Sequence, residues 1–288
     1  MSANKAKKMH RSGFVNIIGN PNVGKSTLMN AQTTRHRIMG IVSGEDFQIV
    51  YSDTPGILKP SYKLQESMMK FVTGALTDAD VILYVTDTVE QSERSAEIVD
   101  SIRRSGIPTV VVINKIDLST PEALEALVDK WQAEIPGAQV VPTSAKENFN
   151  IEGLFRTILS LLPEGPAFYP KDTLTDKTLR FFASEIIREK ILKFYDKEIP
   201  YCCEIEIESY KEEPTIDRIS ATIYVARDSQ KGILIGHKGE KLKRVGQTAR
   251  EDMEQFLGKK VFLQLFVKVS DDWRNNERQL RRFGYEQE

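Results

Sequence analysis

Over the first 160 residues, short apolar runs rich in β-branched residues alternate with amphipathic stretches. Segments 14–18, 38–42, 47–51, 81–85, 109–113 and 139–141 read as strands. Segments 62–76, 92–104, 121–134 and 151–162 carry apolar residues at helical spacing. Strands alternating with helices predict βαβ units and an α/β fold: a mostly parallel, doubly wound sheet covered on both faces. The pair 38–42 and 47–51, separated only by Ser43-Gly44-Glu45-Asp46, predicts an antiparallel hairpin within it.

Three prolines within residues 163–170 break this alternation and predict a linker over 163–174. A long helix is expected next, with Thr175 at its cap and Leu179, Phe182, Ile186, Ile187, Ile191 and Phe194 at helical spacing. After Pro200 the period shortens to two. Tyr201, Cys203, Ile205 and Ile207 share one face, and Cys202, Glu204, Glu206 and Glu208 share the other. Cys203 is therefore expected in the core and Cys202 half-exposed on a strand. A strand at 218–226, a glycine-containing segment at 232–239, a helix at 240–257, a strand at 261–269 and a polar helix from Asp272 follow. The order α-β-β-α-α-β predicts a smaller α+β domain over 175–288, after a tail over 1–12 and an α/β domain over 13–162.

Composition agrees with two soluble domains. The chain has 288 residues, 40% of them apolar and 28% charged, which excludes wholesale disorder and collagen-like repeats. Two adjacent cysteines cannot build a disulfide framework, so a reducing cytoplasm is expected. No apolar stretch approaches the ~20 residues that cross a bilayer. The basic start of the chain, with Lys5, Lys7, Lys8 and Arg11, reads as a disordered tail and precedes no apolar signal core. A formal net charge of −1 gives no hint of a polyanionic partner. A finer window does. From Arg227 to Arg250 there are seven Lys and Arg against only Asp228 and Glu240.

The chemistry concentrates at the C-terminal ends of the expected strands. Gly19-Asn20-Pro21-Asn22-Val23-Gly24-Lys25-Ser26 fits the phosphate-binding G-x-x-x-x-G-K-[ST], placed after a strand and before Thr27 opens a helix. Its glycines let backbone N–H groups face phosphate oxygens; Lys25 adds a charge at the β- and γ-phosphates, and the Ser26 hydroxyl can ligate Mg²⁺. Asp53-Thr54-Pro55-Gly56 follows the third strand, where Asp53 would hold Mg²⁺ through water and the Gly56 N–H would sense the γ-phosphate. Asn114-Lys115-Ile116-Asp117 follows the fifth strand. Guanine presents a pair of N–H donors that Asp117 can accept together and adenine lacks, Lys115 can cover the base plane, and Asn114 can tie the loop to the phosphate loop. Thr143-Ser144-Ala145-Lys146 follows the sixth strand, with backbone N–H groups for the guanine carbonyl. In this order the motifs point to GTP.

Two positions depart from a Ras-like GTPase. Ile57 stands where those enzymes place a water-orienting Gln, so intrinsic hydrolysis should be slow. The run from Lys25 to Thr33-Thr34-Arg35 is also short. A helix over 26–31 travels ~9 Å, and the two or three residues left recover at most ~10 Å, so a switch threonine barely returns to the metal.

The set GNPNVGKS, QTTRHR, DTPGI, NKID and SAK resembles the bacterial Era GTPases, of the TrmE–Era branch, from about Phe14 to Arg281. The resemblance implies a longer run between the phosphate-loop helix and the TTR segment, so a switch stretch is expected to be missing between Ala31 and Gln32. It also implies Thr34, with Thr33 the alternative, as the Mg²⁺-binding switch threonine, and Asn22 as a residue that helps hold K⁺. Lys25, Thr34 and Gly56 are then the residues closest to the reaction, and Ile57 closes the nucleotide-binding set.

Gly232, Ile233 and Ile235 lead into the G-x-x-G of Gly236-His237-Lys238-Gly239, followed by Lys241, Leu242, Lys243 and Arg244. A KH domain uses such a turn between two helices to clamp single-stranded backbone, with apolar neighbours flooring the bases. The family resemblance implies a type II KH domain that binds the 3′ end of small-subunit ribosomal RNA. Arg274, Arg278, Arg281 and Arg282 either extend that surface or form a solvated helix face. His10, His36 and His237 lack metal-ligand spacing, and Trp131 and Trp273 are expected to pack.

The expected protein is thus a GTPase, monomeric and using GTP/GDP, Mg²⁺ and possible K⁺, that acts on the small ribosomal subunit. Segment 62–76 is a candidate transmitter of the nucleotide state. The rival reading is a GTP-gated RNA-modification factor, for which no further catalytic cluster is legible. Peripheral membrane contact is reported for the family and has no signature in these residues.

Overall fold

A computed structural model describes residues 9–25, 35–89 and 96–285. These form two compact units, one of residues up to Ser61 with Gln65–Asp176, the other of Tyr62–Leu64 with Lys177 onward.

The first unit is built on six strands: β1 (Arg11–Gly19), β2 (Ile38–Ser43), β3 (Phe47–Asp53), β4 (Val81–Asp87), β5 (Thr109–Asn114) and β6 (Gln139–Pro142). Their order is β2-β3-β1-β4-β5-β6, all parallel except the antiparallel β2–β3 hairpin. Helices α1 (Lys63–Gly74), α2 (Ala96–Ser105) and α3 (Pro121–Glu134) supply the crossovers from β3 through β6, and α4 (Ile151–Leu161) follows β6. Each central strand feeds two cores. Ile82 and Tyr84 of β4 join Val111, Ile113, Ile102 and Trp131 on one face; Val81, Leu83 and Val85 join Val110, Val112, Leu154 and Ile158 on the other. Burial on both faces is why these strands read as continuous apolar runs rather than alternations. Trp131 packs as expected, its ring 5.2 Å from that of Tyr84.

Two details at the margins differ from the sequence expectations. Arg11 is no part of a loose tail. It begins β1, and its Nη1 donates to the carbonyls of Ser160 (2.8 Å) and Leu162 (3.2 Å), closing the exposed end of α4. Thr175 does not cap the long helix. Its hydroxyl donates to the Met39 carbonyl at 2.6 Å, and Ile41 N–H donates to Leu174 at 2.8 Å, so this stretch lies along edge strand β2. The buried Gln48 amide holds the same stretch: its Oε1 accepts the N–H groups of Phe168 and Tyr169, and its Nε2 donates to the Tyr169 carbonyl. Residues 163–170, whose prolines suggested a linker, are strapped to the sheet by these bonds.

The second unit contains α5 (Leu179–Phe194), β7 (Cys203–Glu212), β8 (Ile216–Val225), α6 (Asp228–Ile235), α7 (Glu240–Leu257), β9 (Lys260–Val269) and α8 (Glu277–Arg282). Its sheet runs β7-β8-β9, antiparallel then parallel. Thr178, rather than Thr175, caps α5 by accepting from the Phe181 N–H. Ile187, Ile191, Leu234, Val245, Ala249 and Met253 pack from the helices onto Cys203, Ile205, Ala221 and Ile223 of the sheet. Cys203 is core, as expected. Cys202 is also fully buried, because a helical turn at Ile199–Cys202 interrupts the strand pattern and its thiol donates to the Ile199 carbonyl. Trp273 is buried and donates its indole N–H to the Cys202 carbonyl at 3.1 Å. The polar end of the chain is a 3₁₀ turn, Trp273–Asn275, followed by α8 rather than one helix from Asp272.

Candidate functional site

The ends of β1, β3, β4, β5 and β6 bring the predicted motifs of the first unit to one edge of its sheet. Gly19 closes β1 opposite Val85 of β4; a Cβ there would lie 2.1 Å from the Val85 carbonyl oxygen, so the loop can leave the sheet only without a side chain. The chain then turns through Asn22 (φ 65°) and Gly24 (φ 95°). Lys25 is buried, its ammonium donating to the carbonyls of Gly19 (2.8 Å) and Asn20 (2.7 Å) across the loop it belongs to. The loop following β3 leans directly on this one. Thr54 donates its hydroxyl to Ile17 at 2.7 Å, Ile57 N–H donates to Gly19 at 3.1 Å, and a Cβ on Gly56 would sit 2.8 Å from Pro21 Cγ. Asp53, the last residue of β3, and Pro55 are buried beside them. Ile57 is buried within the core with Ile18 and Val72.

Asn114 ties the base-side loops to the phosphate-side loop. Its Nδ2 donates to the Val23 carbonyl at 2.9 Å, and its Oδ1 accepts the Ala145 N–H at 3.0 Å. Lys115 takes left-handed backbone (φ 60°), which turns the exposed Asp117 toward the loop after β6. There the Ser144 hydroxyl donates to Asp117 Oδ1 at 2.6 Å, while Ser144 Oγ accepts the Glu147 N–H at 3.2 Å. Lys146 is exposed. Four sequence-predicted residues, Ser26, Thr27, Thr33 and Thr34, and the junction of Ala31 and Gln32 lie outside the described residues.

In the second unit the G-x-x-G turn joins α6 to α7. Gly236 (φ 73°) and Gly239 (φ 80°) occupy conformations that favour glycine, and Lys238 between them has φ 50°. A Cβ on Gly236 would lie 2.7 Å from Lys241 Cγ. The turn therefore brings α6 and α7 together and exposes His237, Lys238, Lys241, Lys243 and Arg244. Gly232 and Ile233 are exposed beside it, Ile235 and Leu242 half-buried. Arg244 lies over the Phe194 ring, 4.4 Å from its centroid, which fixes one cation of this face. Tyr195 donates its hydroxyl to the Leu234 carbonyl at 2.5 Å, and burial pushes its pKa up to about 12. Arg282 is engaged by Glu206 through two hydrogen bonds, 2.8 and 2.6 Å, so it caps the sheet instead of standing free on a basic face.

Comparison with known proteins matches two family models, a 50S ribosome-binding GTPase over residues 14–115 and a KH domain over residues 198–274. A relative described as GTPase Era from Staphylococcus haemolyticus is 44% identical over 291 residues, covering 96% of this chain and 97% of its own. The chain belongs to the Era GTPase family. The 291-residue match is longer than the part of this chain it takes in, so the relative carries internal residues with no counterpart here. Two solved Era structures share the fold at 38% identity over 96% of this chain and all of theirs. One, with MgGDPNP and nucleotides 1506–1542 of 16S ribosomal RNA, superposes at a TM-score of 0.92. The other, a variant of Aquifex aeolicus Era bound to GDP and AlF4⁻, superposes at 0.91.

An Era GTPase domain followed by a KH domain is thus what the α/β and α+β patterns encode. Sequence reasoning missed Asp87 and Thr88 at the end of β4, which contact Lys115. The available signal was a polar Thr86-Asp87-Thr88 closing an apolar strand on the edge where the other motifs cluster. Among the described residues no helix is long and apolar enough to cross a membrane, and no cluster of His, Cys, Asp and Glu could hold a metal ion.

Proposed function

We propose that this chain is a cytoplasmic GTP-driven switch that hydrolyses GTP to GDP and phosphate and engages the single-stranded 3′ end of small-subunit ribosomal RNA during subunit assembly. The observation that carries the reading is Asn114. One buried amide bonds both the phosphate loop and the loop that faces the base, so a nucleotide bridging the two completes a single wired pocket. Asp117 supplies the acceptor edge for guanine, Ala145 the backbone at its carbonyl, and the Lys115 stem a cover for its plane. Gly19 to Ser26 wrap the phosphates.

Lys25 shifts from its own loop's carbonyls to the β- and γ-phosphates, exchanging two neutral acceptors for anionic ones. Gly56 N–H, held against Pro21, reads the γ-phosphate. The buried carboxylate of Asp53, at the end of β3 beside the phosphate loop, suits a hard cation. With Ser26 and Thr34 it would hold Mg²⁺, which when bound withdraws charge from the phosphate oxygens. Asn22 is the K⁺ candidate. The Ile57 side chain is buried in the core, so it cannot orient water and basal hydrolysis is slow. Loss of the γ-phosphate releases Gly56 and lets the segments beyond it reorder. In the KH domain, His237 and Lys238 face the RNA backbone at the turn, Lys241, Lys243 and Arg244 add charge, and Ile233 and Ile235 floor the bases.

The test is RNA affinity measured with a non-hydrolysable GTP analogue and with GDP, alongside phosphate release with and without RNA in K⁺ and Na⁺. Affinity that differs between nucleotides and hydrolysis that RNA accelerates support the switch. Identical affinities with both nucleotides reject it.

A further inference from the structure

Beside the guanine-reading loop sits a carboxylate that no motif accounts for. Asp87 ends β4 with its side chain only 8% exposed, and its Oδ2 lies 2.6 Å from the ammonium of Lys115. Its Oδ1 accepts the Val89 N–H at 3.0 Å, which fixes the carboxylate's orientation. Thr88 donates its hydroxyl to the Lys115 carbonyl at 3.3 Å. The end of β4 thus grips both the backbone and the ammonium of Lys115, at the residue whose left-handed conformation shapes the turn.

Lys115 and Asp117 stand two residues apart in that turn, and an unrestrained ammonium will pair with the nearest carboxylate. Asp117 already gives Oδ1 to Ser144; pairing with Lys115 would occupy the rest of the edge that guanine must use. Asp87 is the better-buried partner, where an ion pair is less screened than at the exposed Asp117. We infer that Asp87 is a positioning residue for guanine recognition: it draws the Lys115 ammonium to β4, lays the lysine stem along the pocket and leaves Asp117 open to the base. The inference rests on the guanine-binding reading, and Asp87 acts only through Lys115.

A double-mutant cycle on the full chain tests this, reading dissociation of fluorescent GDP and the preference for GDP over IDP, whose base lacks the 2-amino group. Asp87→Asn is expected to speed GDP release about tenfold, the equivalent of one charge-assisted hydrogen bond. It should also narrow the GDP-over-IDP preference, because Asp117 is then partly quenched. Asp87→Glu should recover part of both. In a Lys115→Met background, Asp87→Asn should change neither. An equal effect of Asp87→Asn with and without Lys115, or none in the native background, overturns the inference. Thermal melting of each variant guards the comparison; should Asp87→Asn fail to fold, the Asp87→Glu arm carries the same cycle. Failure of the underlying reading shows separately, as no preference of the native chain for GDP over ADP.

Discussion

Ser144 donates its hydroxyl to Oδ1 of Asp117 at 2.6 Å, across 27 residues of chain. The bond joins the loops after β5 and β6 and leaves Oδ2, with the second lone pair of Oδ1, for the two N–H donors of the base. Ser144→Ala removes a charge-assisted hydrogen bond worth about 1.5–3 kcal/mol, so GDP affinity should fall roughly tenfold or more. Asp117→Asn should go further and change specificity: an amide cannot accept two N–H donors, and preference should move from guanosine to xanthosine nucleotides. Competition titration of both variants against GDP and XDP distinguishes weakened binding from altered choice. Unchanged GDP affinity in both would remove Asp117 from the base site.

At the G-x-x-G turn, Gly236→Asp introduces a Cβ 2.7 Å from Lys241 Cγ at φ 73° and sets an anion where phosphate should approach. RNA binding should be lost while GTP binding and RNA-free hydrolysis persist. Electrophoretic mobility shift with a 3′-end small-subunit RNA, paired with phosphate release, reads both at once. Retained RNA affinity would show that the basic turn is not the clamp.

The strap on β2 gives a local prediction. Gln48 is buried and makes hydrogen bonds through both amide ends, to Ser43, Phe168 and Tyr169. Gln48→Leu leaves the two peptide N–H groups it served unsatisfied, a cost of about 1–3 kcal/mol each when buried. Hydrogen exchange should quicken at Phe168, Tyr169 and Ile41 and stay slow in β4 and β5. Uniform exchange across the unit would mean that the strap melts only with the whole sheet.

Local pattern carried most of the architecture: β4 and β5 are apolar throughout because both faces are covered, and the motif glycines sit where a Cβ would meet backbone. Where the sequence reading failed, the deciding partner lay far along the chain. Thr175 and Thr178 are equally good caps by type, and the Met39 carbonyl claims the first. Cys202 alternates out of the core by count, yet one helical turn buries it. Asp87 is an unremarked strand end until Lys115, 28 residues later, folds back to it. The prolines of 163–170 suggested a loose connection because Gln48, which holds it, is some 120 residues upstream. Hydrogen-bonding partners at that separation leave no periodicity to read.

The second unit holds one buried ion pair whose removal should be costly in a diagnostic way. Arg188 and Glu204, each with only 3% of the side chain exposed, are joined at 2.5 Å; Glu204 also accepts from the Tyr285 hydroxyl at 2.6 Å, and Glu185 from Arg188 Nε at 3.0 Å. Burial works against the guanidinium charge, but Glu204 and Glu185 outweigh it and hold its pKa well above the usual arginine value. Arg188 therefore stays charged, and Glu204→Gln should leave that charge undercompensated at a cost of about 3–5 kcal/mol. Arg188 Nη1 is already buried with no hydrogen-bond partner among the described residues, so the pair is imperfectly satisfied. Replacing both ends at once, Arg188→Met with Glu204→Leu, removes the charges and this orphan donor together. The double variant should recover most of the loss, although it forfeits the Tyr285 and Ile205 bonds to Glu204 and the Arg188 bond to Glu185. Urea unfolding of the native chain, each single variant and the double variant measures the cycle. A double variant as unstable as Glu204→Gln alone would show that the network stabilises the domain through its geometry, not merely by neutralising a buried charge.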